Sequence, residues 1–531
     1  MTQVTPNAVT VEIVRNALET TVAEMSAVML RTSHAPIFSE GKDYSCALYD
    51  RDGVPLAQAH DCPIHLANIQ FSLQRALHDL EEGVDEGDIV VVNDPYLGGS
   101  HLPDITVFRP ICVDGAIVLY AANRAHHVDV GGGAPGSFVA NATEIFQEGL
   151  RLPPVKLYRR GKPNTDLIRV ILKNVRNPDY LYGDLHAQIA ALLHADERVR
   201  NDLVPRFGLD TILNCRDAIL DYSEARMRDA VGRLKPGRFE ASDHVDDDGI
   251  VDVPLEIKVT VEATNGHLVI DFEGSSPQAA GPVNSVYAVT AGAAYIGVLN
   301  SLDGDIPVNG GCYRPIEIRA PEGTVVNPRE PAACTAGNTY TAIRIIDTVR
   351  RALIRAGAPN VAAGEGEHAQ FLAGGTDPAS HEPYVFYEMI VGGWGATPTK
   401  DGENALYALN ANCENTPAEV FETRFPWRIR RRSLRPNSGG TGLHRGGDGM
   451  LVEYELLRGT ALASSASDRA HFAPYGLEGG SPGQTATFTL IHEGERRGLP
   501  SKFGNLEMVA GDVMEIATSG GGGYGAPVAE G

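Results

Sequence analysis

At 531 residues the chain exceeds what one hydrophobic core organises, since cores stop growing near ~250–300 residues, and two or three domains are expected. Its 43% hydrophobic and 21% charged residues are those of a globular protein, while 58 glycines stand well above the usual share of ~7% and announce many tight turns. The 45 Lys and Arg against 68 Asp and Glu leave a net charge of −23, which repels polyphosphate backbones and anionic membrane surfaces, so neither nucleic acid nor a membrane is an expected partner.

In chain order, Val11, Val14, Leu18, Val22, Met25 and Met29 recur every three or four residues and predict an amphipathic helix over 7–31. Asp52-Gly53 is a hairpin turn between strands at 46–49 and 55–59, and a second helix is expected over 65–82. Strands follow at 89–92, 105–111 and 116–122, the last two joined by Asp114-Gly115. Residues 185–206 and 209–234 read as a helical pair separated by Gly208, and Pro236-Gly237 as a domain boundary. Beyond it, strands at 253–261 and 268–272 flank the turn Asn265-Gly266. Residues 274–302 carry no charge, but Pro282, Asn284, Ser285 and Asn300 leave an apolar stretch shorter than the ~20 residues of a membrane span; a buried core helix is expected there. A further amphipathic helix covers 340–355. From 433 the chain becomes short strands and glycine turns, with strands at 451–457 and 485–491 and a glycine run over 520–525. The fold class expected is therefore α+β: a mixed, multi-layer N-terminal region over 1–235, a central α+β region over 236–432, and a β-rich, glycine-rich C-terminal part over 433–531. No fixed-period repeat is visible.

The seven cysteines, Cys46, Cys62, Cys112, Cys215, Cys312, Cys334 and Cys413, form no C-x-x-C pair and read as reduced, mostly buried thiols. Met1 to Val9 is polar and uncharged, without the pattern of an export signal, and a cytoplasmic location is expected. Chemistry concentrates in Asn93-Asp94-Pro95-Tyr96-Leu97-Gly98-Gly99-Ser100-His101-Leu102-Pro103-Asp104, between two strands, and in His126-His127-Val128-Asp129, just after a third. Adjacent strand ends can present both loops to one point, and His101 and Asp104, three apart in a glycine-tightened turn, can reach one cation. A His/Asp set without thiolate suits Zn²⁺, Mn²⁺ or Fe²⁺. Neighbours in an extended chain point to opposite faces, so one of His126 and His127 binds the metal while the other packs, orients or handles protons. Asp43 is the best remaining carboxylate.

Two glycine patterns, Gly131-x-Gly133-x-x-Gly136 and Gly520-x-Gly522-x-x-Gly525, fit G-x-G-x-x-G but lack the strand before and the helix after that a dinucleotide fold requires. The chain is not expected to bind a nucleotide itself. The arginines Arg428, Arg430, Arg431, Arg432 and Arg435 are read as partners of the protein's own acidic surface, and no G-x-S-x-G elbow accompanies the histidines.

The segments Phe38-Ser39-Glu40-Gly41-Lys42-Asp43-Tyr44-Ser45-Cys46-Ala47, Asn93 to Asp104, His126 to Gly132, Ile145-Phe146-Gln147-Glu148-Gly149-Leu150-Arg151-Leu152-Pro153-Pro154, Gly337-Asn338-Thr339, and Ser438 to Gly449 closely resemble the hydantoinase B family across essentially the whole chain. What the resemblance implies is the B-type component of an ATP-dependent cyclic amide hydrolase in a hetero-oligomer. A hydantoinase A-type, actin-like ATPase partner would use ATP to phosphorylate the amide oxygen of a small cyclic amide, and a divalent metal (Zn²⁺ or Mn²⁺) on the B-type component would let water open the ring. By motif, the ligands are Asp43, His101, Asp104 and His126, with His127 and Asp129 as catalytic neighbours. Two alternatives accompany this reading: a component of an ATP-dependent ketone carboxylase, and a non-catalytic scaffold for the A-type partner. Gly392-Gly393-Trp394-Gly395 departs from the family's more uniform glycine there, and Trp394 is expected to repack or reshape a loop.

Overall fold

The structure is a computed structural model, and it describes residues 6–527. The first helix runs over Ala8–Thr32, capped by the Asn7 side chain, and buries Val14, Leu18, Val22, Met25 and Met29, the stripe its periodicity demands. A seven-stranded sheet follows, made of β1 (Tyr44–Asp50), β2 (Pro55–Gln58), β3 (Ile89–Val92), β4 (Asp104–Val113), β5 (Ala116–His126), β6 (Val155–Arg159) and β7 (Lys162–Pro163). Its order is β2-β1-β5-β4-β3-β6-β7, antiparallel throughout. Every residue of β1 is buried because the sheet is covered on both sides. Cys46 and Leu48 join the core under helix Ala8–Thr32, while Ala47 and Tyr49 pack with Leu66, Ile69 and Leu73 of the helix Pro63–Asp79, as alternation along a strand requires.

The helix expected from 185 begins earlier, at Pro178. Its first turns bury Leu181 and also serve a polar contact, the Asp184 carboxylate accepting from the backbone N–H of His34 at 2.7 Å. This helix ends at Arg198, passes through a wide π-type turn over Val199–Leu203 and a short turn over Val204–Phe207, and Gly208 at φ 80° separates it from Leu209–Gly232.

A four-stranded sheet comes next, of β8 (Gly237–Val245), β9 (Leu255–Thr264), β10 (His267–Asp271) and β11 (Ile316–Arg319), ordered β11-β10-β9-β8. The turn at Asn265 and Gly266 has φ 47° and 75°, the double left-handed geometry that an Asn-Gly hairpin adopts. The charge-free segment forms the helix Tyr287–Ser301, packed between the helices Pro63–Asp79 and Ala342–Arg355. Among the described residues no helix is long and apolar enough to cross a membrane.

The remaining strands are β12 (Ala369–Thr376), β13 (Pro383–Ile390), β14 (Trp427–Leu434), β15 (Met450–Leu456), β16 (Thr460–Ala466), β17 (Thr487–His492), β18 (Glu495–Leu499), β19 (Lys502–Val509) and β20 (Val513–Ala517). They build two antiparallel sheets, β13-β12-β16-β19 and β14-β15-β20-β17-β18, over a shared core that includes Phe371, Phe386, Trp427, Tyr454, Phe488 and Met514. From residue 433 to the end of the described chain there is no helix. Pairing crosses that position: β14 runs through it to pair with β15, and β12 pairs with β16. The arginines of β14 do meet acids of the same chain, Arg428 with Glu455 at 2.5 Å and Arg432 with Glu388 at 3.1 Å.

Beside these sheets the glycine-rich segments pack backbone against backbone. Gly521 donates to the Gly447 carbonyl at 2.9 Å, Gly522 to Gly364 at 2.8 Å and Gly523 to Ser481 at 2.9 Å. A Cβ on Gly521 would stand 2.0 Å from the Trp394 carbonyl oxygen, so glycine is required there by space. Trp394 itself is anchored, its indole Nε1 donating to the Tyr407 carbonyl at 2.6 Å.

Candidate metal centre

Asp104 opens β4 and His126 closes β5, and the two are direct partners across the ladder, which places their side chains on one face. His101 lies one turn before Asp104. Its Nε2 stands 2.9 Å from Asp104 Oδ1 and 3.1 Å from His126 Nδ1, and His126 Nδ1 is 3.1 Å from the same Asp104 oxygen. None of the three residues is more than 2% exposed. Donors ~2.0–2.2 Å from a cation stand about 3 Å apart, so this triangle fits a divalent ion capping it. The His101 Nδ1 hydrogen bond supports that reading: Nδ1–H donates to the Thr335 carbonyl at 3.0 Å, which leaves the Nε2 lone pair turned to the triangle.

The second oxygen of Asp104 is held separately. It accepts from Ser100 Oγ at 2.5 Å and from Asn338 Nδ2 at 3.3 Å, and His65 Nε2 lies 3.2 Å away. Burial alone would raise the Asp104 carboxyl, but the neighbouring His101 and His65 outweigh it and hold it well below the usual carboxylate range. The loop that carries His101 is pinned by Asn93, whose side chain donates to the carbonyls of Leu102 at 2.7 Å and Leu150 at 2.9 Å. Asp94 caps the short turn Pro95–Leu97 and pairs with Arg151 at 2.7 Å. These two motif residues build the loop; they do not enter the cluster. Tyr387 stacks on His126 at 4.7 Å between ring centroids and fixes that ring.

Asp43 approaches the same ring nitrogen, its Oδ1 3.9 Å from His65 Nε2, and is grouped with the donors of Cys62 and His65. Both groups line one cavity of about 30 Å³, together with Asn338, His368, Asn410 and Cys413, room for little more than an ion and a water. The structure therefore brings together Asp43, His101, Asp104 and His126, and adds residues that sequence reasoning misses. Cys62 and His65 flank the start of helix Pro63–Asp79, where apolar periodicity is the dominant pattern; their Cys/His spacing of three is the signal that could have found them. Asn338 lies in the Gly337-Asn338-Thr339 segment of the family resemblance, which gives it no role, and His368 and Asn410 carry no local signal at all.

His127 and Asp129, the catalytic neighbours that the resemblance implies, lie outside the donor cluster. His127 points to the opposite face, where Nε2 meets Gln188 Oε1 at 3.0 Å and the ring packs edge-on against Phe38 at 5.1 Å. Burial pushes its pKa down to about 4. Asp129 is a turn carboxylate that accepts from the backbone N–H groups of Gly131 at 3.0 Å, Gly136 at 3.1 Å and Arg176 at 2.9 Å.

Fold and cluster together define an α+β protein with a buried His/Asp donor set suited to a divalent cation. The family model described as Hydantoinase B/oxoprolinase matches residues 7–527, and the chain belongs to that family. It is 32% identical over 539 residues to a putative D-/L-hydantoinase B-type component of Pseudomonas sp., covering 98% of this chain and 90% of that one. Among solved structures it resembles the ATP-dependent caprolactamase of Pseudomonas jessenii, with TM-score 0.92, 28% identity and coverage of 98% of this chain and 92% of that one. A nucleotide-free acetone carboxylase shares the fold, with TM-score 0.90, 19% identity and coverage of 97% and 75%.

Proposed function

We propose that the protein is the B-type component of an ATP-dependent cyclic amide hydrolase and that His101, Asp104 and His126 hold its divalent cation, Zn²⁺ or Mn²⁺. The observation that carries this reading is the triangle of His101 Nε2, Asp104 Oδ1 and His126 Nδ1 with edges of 2.9–3.1 Å. Its support is membership of the family and the likeness to a hydantoinase component and a caprolactamase. A cation held there would lower the pKa of a water and polarise the oxygen of the reacting carbon.

The chain's own residues set the geometry. Thr335 fixes the His101 tautomer, while Ser100 and Asn338 hold the Asp104 carboxylate by its second oxygen, so the donors are in place before substrate arrives. The rings of Tyr387 and His368 line the same cavity. An A-type, actin-like partner would transfer the γ-phosphoryl group of ATP to the amide oxygen. Water then adds to the activated carbon, the ring nitrogen leaves with a proton, and a second water releases phosphate. The test is to combine the chain with an A-type partner and ATP and to follow a panel of cyclic amides alongside ketone-plus-bicarbonate pairs. Ring opening that requires both partner and ATP is the expected result. Bicarbonate-dependent product, or ring opening without ATP, would overturn the proposal.

A further inference from the structure

Resting on the reading of the chain as a component of a cyclic amide hydrolase, we propose that a second cavity, apart from the metal centre, binds the neutral cyclic amide, with Arg350 donating to its C=O and Glu365 accepting from its ring N–H. The cavity holds about 490 Å³ between the helix Ala342–Arg355 and the Trp394 loop, and it shares no lining residue with the metal centre. That volume is in the ~300–1,000 Å³ range of small-molecule sites. Two buried charged side chains line it, Arg350 at 6% and Glu365 at 2% exposed. Each leaves one polar atom unpaired. Arg350 Nη1 donates to Asp347 Oδ1 at 3.3 Å, and Nε has no hydrogen-bond partner; Glu365 Oε2 accepts from the Leu409 N–H at 3.1 Å, and Oε1 has none. Arg350 pairs with Asp347 and not with Glu365. Buried donors and acceptors without partners cost stability unless a ligand meets them.

The other charges at the cavity are taken. Lys400 pairs with Glu403 at 3.3 Å, and Asp401 accepts from the Arg445 backbone N–H at 2.9 Å. One donor and one acceptor remain, on opposite charges. A phosphate or carboxylate would meet Arg350 but be repelled by Glu365, and an amine would face the reverse. A neutral group with a C=O beside an N–H satisfies both. An acyclic secondary amide is trans and turns the two to opposite sides, whereas a small ring holds them cis, on one edge. Val361, Trp394 and Pro398 give the ring's methylene groups an apolar wall. Leu409, whose N–H binds Glu365, precedes Asn410 at the metal centre, so the ring would lie across one stretch of backbone from that centre.

The test titrates the full chain, without an A-type partner or ATP, with γ-butyrolactam, N-methyl-γ-butyrolactam and N-methylacetamide, following Trp394 fluorescence. Of the two tryptophans, Trp427 is fully buried in the β-sheet core, so the signal belongs to the cavity. Burial and the nearby Asp347 carboxylate push the Glu365 carboxyl up to about 8, and titration at about pH 9 keeps its oxygen an acceptor. A saturable change with γ-butyrolactam is expected. The N-methyl lactam, which lacks the N–H, and the trans amide should each bind about tenfold or more weakly, since a hydrogen bond to a charged group is lost. Glu365→Gln, confirmed folded, should weaken the lactam by a similar factor, while His101→Ala should bind it as tightly as the parent. No saturable change, a comparator that binds as well as the lactam, unchanged affinity in folded Glu365→Gln, or loss of binding in folded His101→Ala overturns the site. The first two are read on the parent, so they hold even if the Glu365 variant does not fold. Ring opening with partner and ATP stands or falls by its own assay, so the two failures are separable.

Discussion

Glu148 shows how a single side chain reaches the centre from a distance. Fully buried, it accepts from the backbone N–H groups of Cys334 and Thr335, each at 2.8 Å, and the Thr335 carbonyl in turn orients His101. Burial raises its pKa to about 8, against the lowering of those two hydrogen bonds. A folded-state pKa above the unfolded value of ~4.3 contributes stability that is present at low pH and lost as pH rises. Glu148→Gln keeps the acceptor and removes the proton, so the parent should lose stability relative to this variant between about pH 4.3 and about pH 8, and no further above. Denaturant unfolding across that range checks it. His127→Phe should bind as much metal as the parent while losing about 1–3 kcal/mol from the abandoned Gln188 contact, measured by elemental analysis and unfolding. His101, Asp104 and the pair His126-His127 are legible in the sequence because short glycine and proline turns bring them to adjacent strand ends. The role of His127 is not, because the sequence does not say which of two neighbouring side chains faces the helices. Nor is that of Asp129, because a carboxylate in a glycine loop looks the same whether it binds a ligand or its own backbone.

Element by element, the long apolar periodicities and Asn-Gly or Asp-Gly turns identify the right helices and hairpins. The boundaries shift where polar and small residues interrupt the stripe, as at Pro178 to Asp184, where Leu181 is the apolar residue buried ahead of Leu185. The wide turn Gly337–Thr341 ahead of helix Ala342–Arg355 has no periodicity that reports it, only the Gly337-Asn338-Thr339 segment of the family resemblance. Yet it supplies Asn338 to Asp104. Asn338→Ala should fold and bind metal about 10–100-fold more weakly, the usual cost of losing a partner that orients a ligand; a competition titration with a chelator reads this. The glycine segments are legible as turns and not as a packed layer, because their close approach depends on strands far apart in sequence. Gly521→Ala would drive a methyl group into the Trp394 carbonyl, and thermal unfolding should show a loss of about 1–3 kcal/mol or more.

At the scale of the whole molecule, the cavity draws on the N-terminal sheet, the helix Pro63–Asp79, the turn at 337–341 and the loop around Asn410 and Cys413. Contacts such as His101 to Thr335 join residues 234 positions apart, and no local pattern reports them. The α+β architecture is readable from alternating periodicities; the sharing of strands across position 433 is not, since ladder partners are set by the folded core. On the proposed reading, His101, Asp104 and His126 bind a divalent cation in the folded chain. Elemental analysis of the purified parent and of His101→Ala and Asp104→Ala, each confirmed folded by circular dichroism, tests it most directly. The parent should carry Zn²⁺ or Mn²⁺, or take it up on dialysis, and each variant should lose at least an equivalent. A parent that gains no metal, or folded variants that bind as much as the parent, would contradict it.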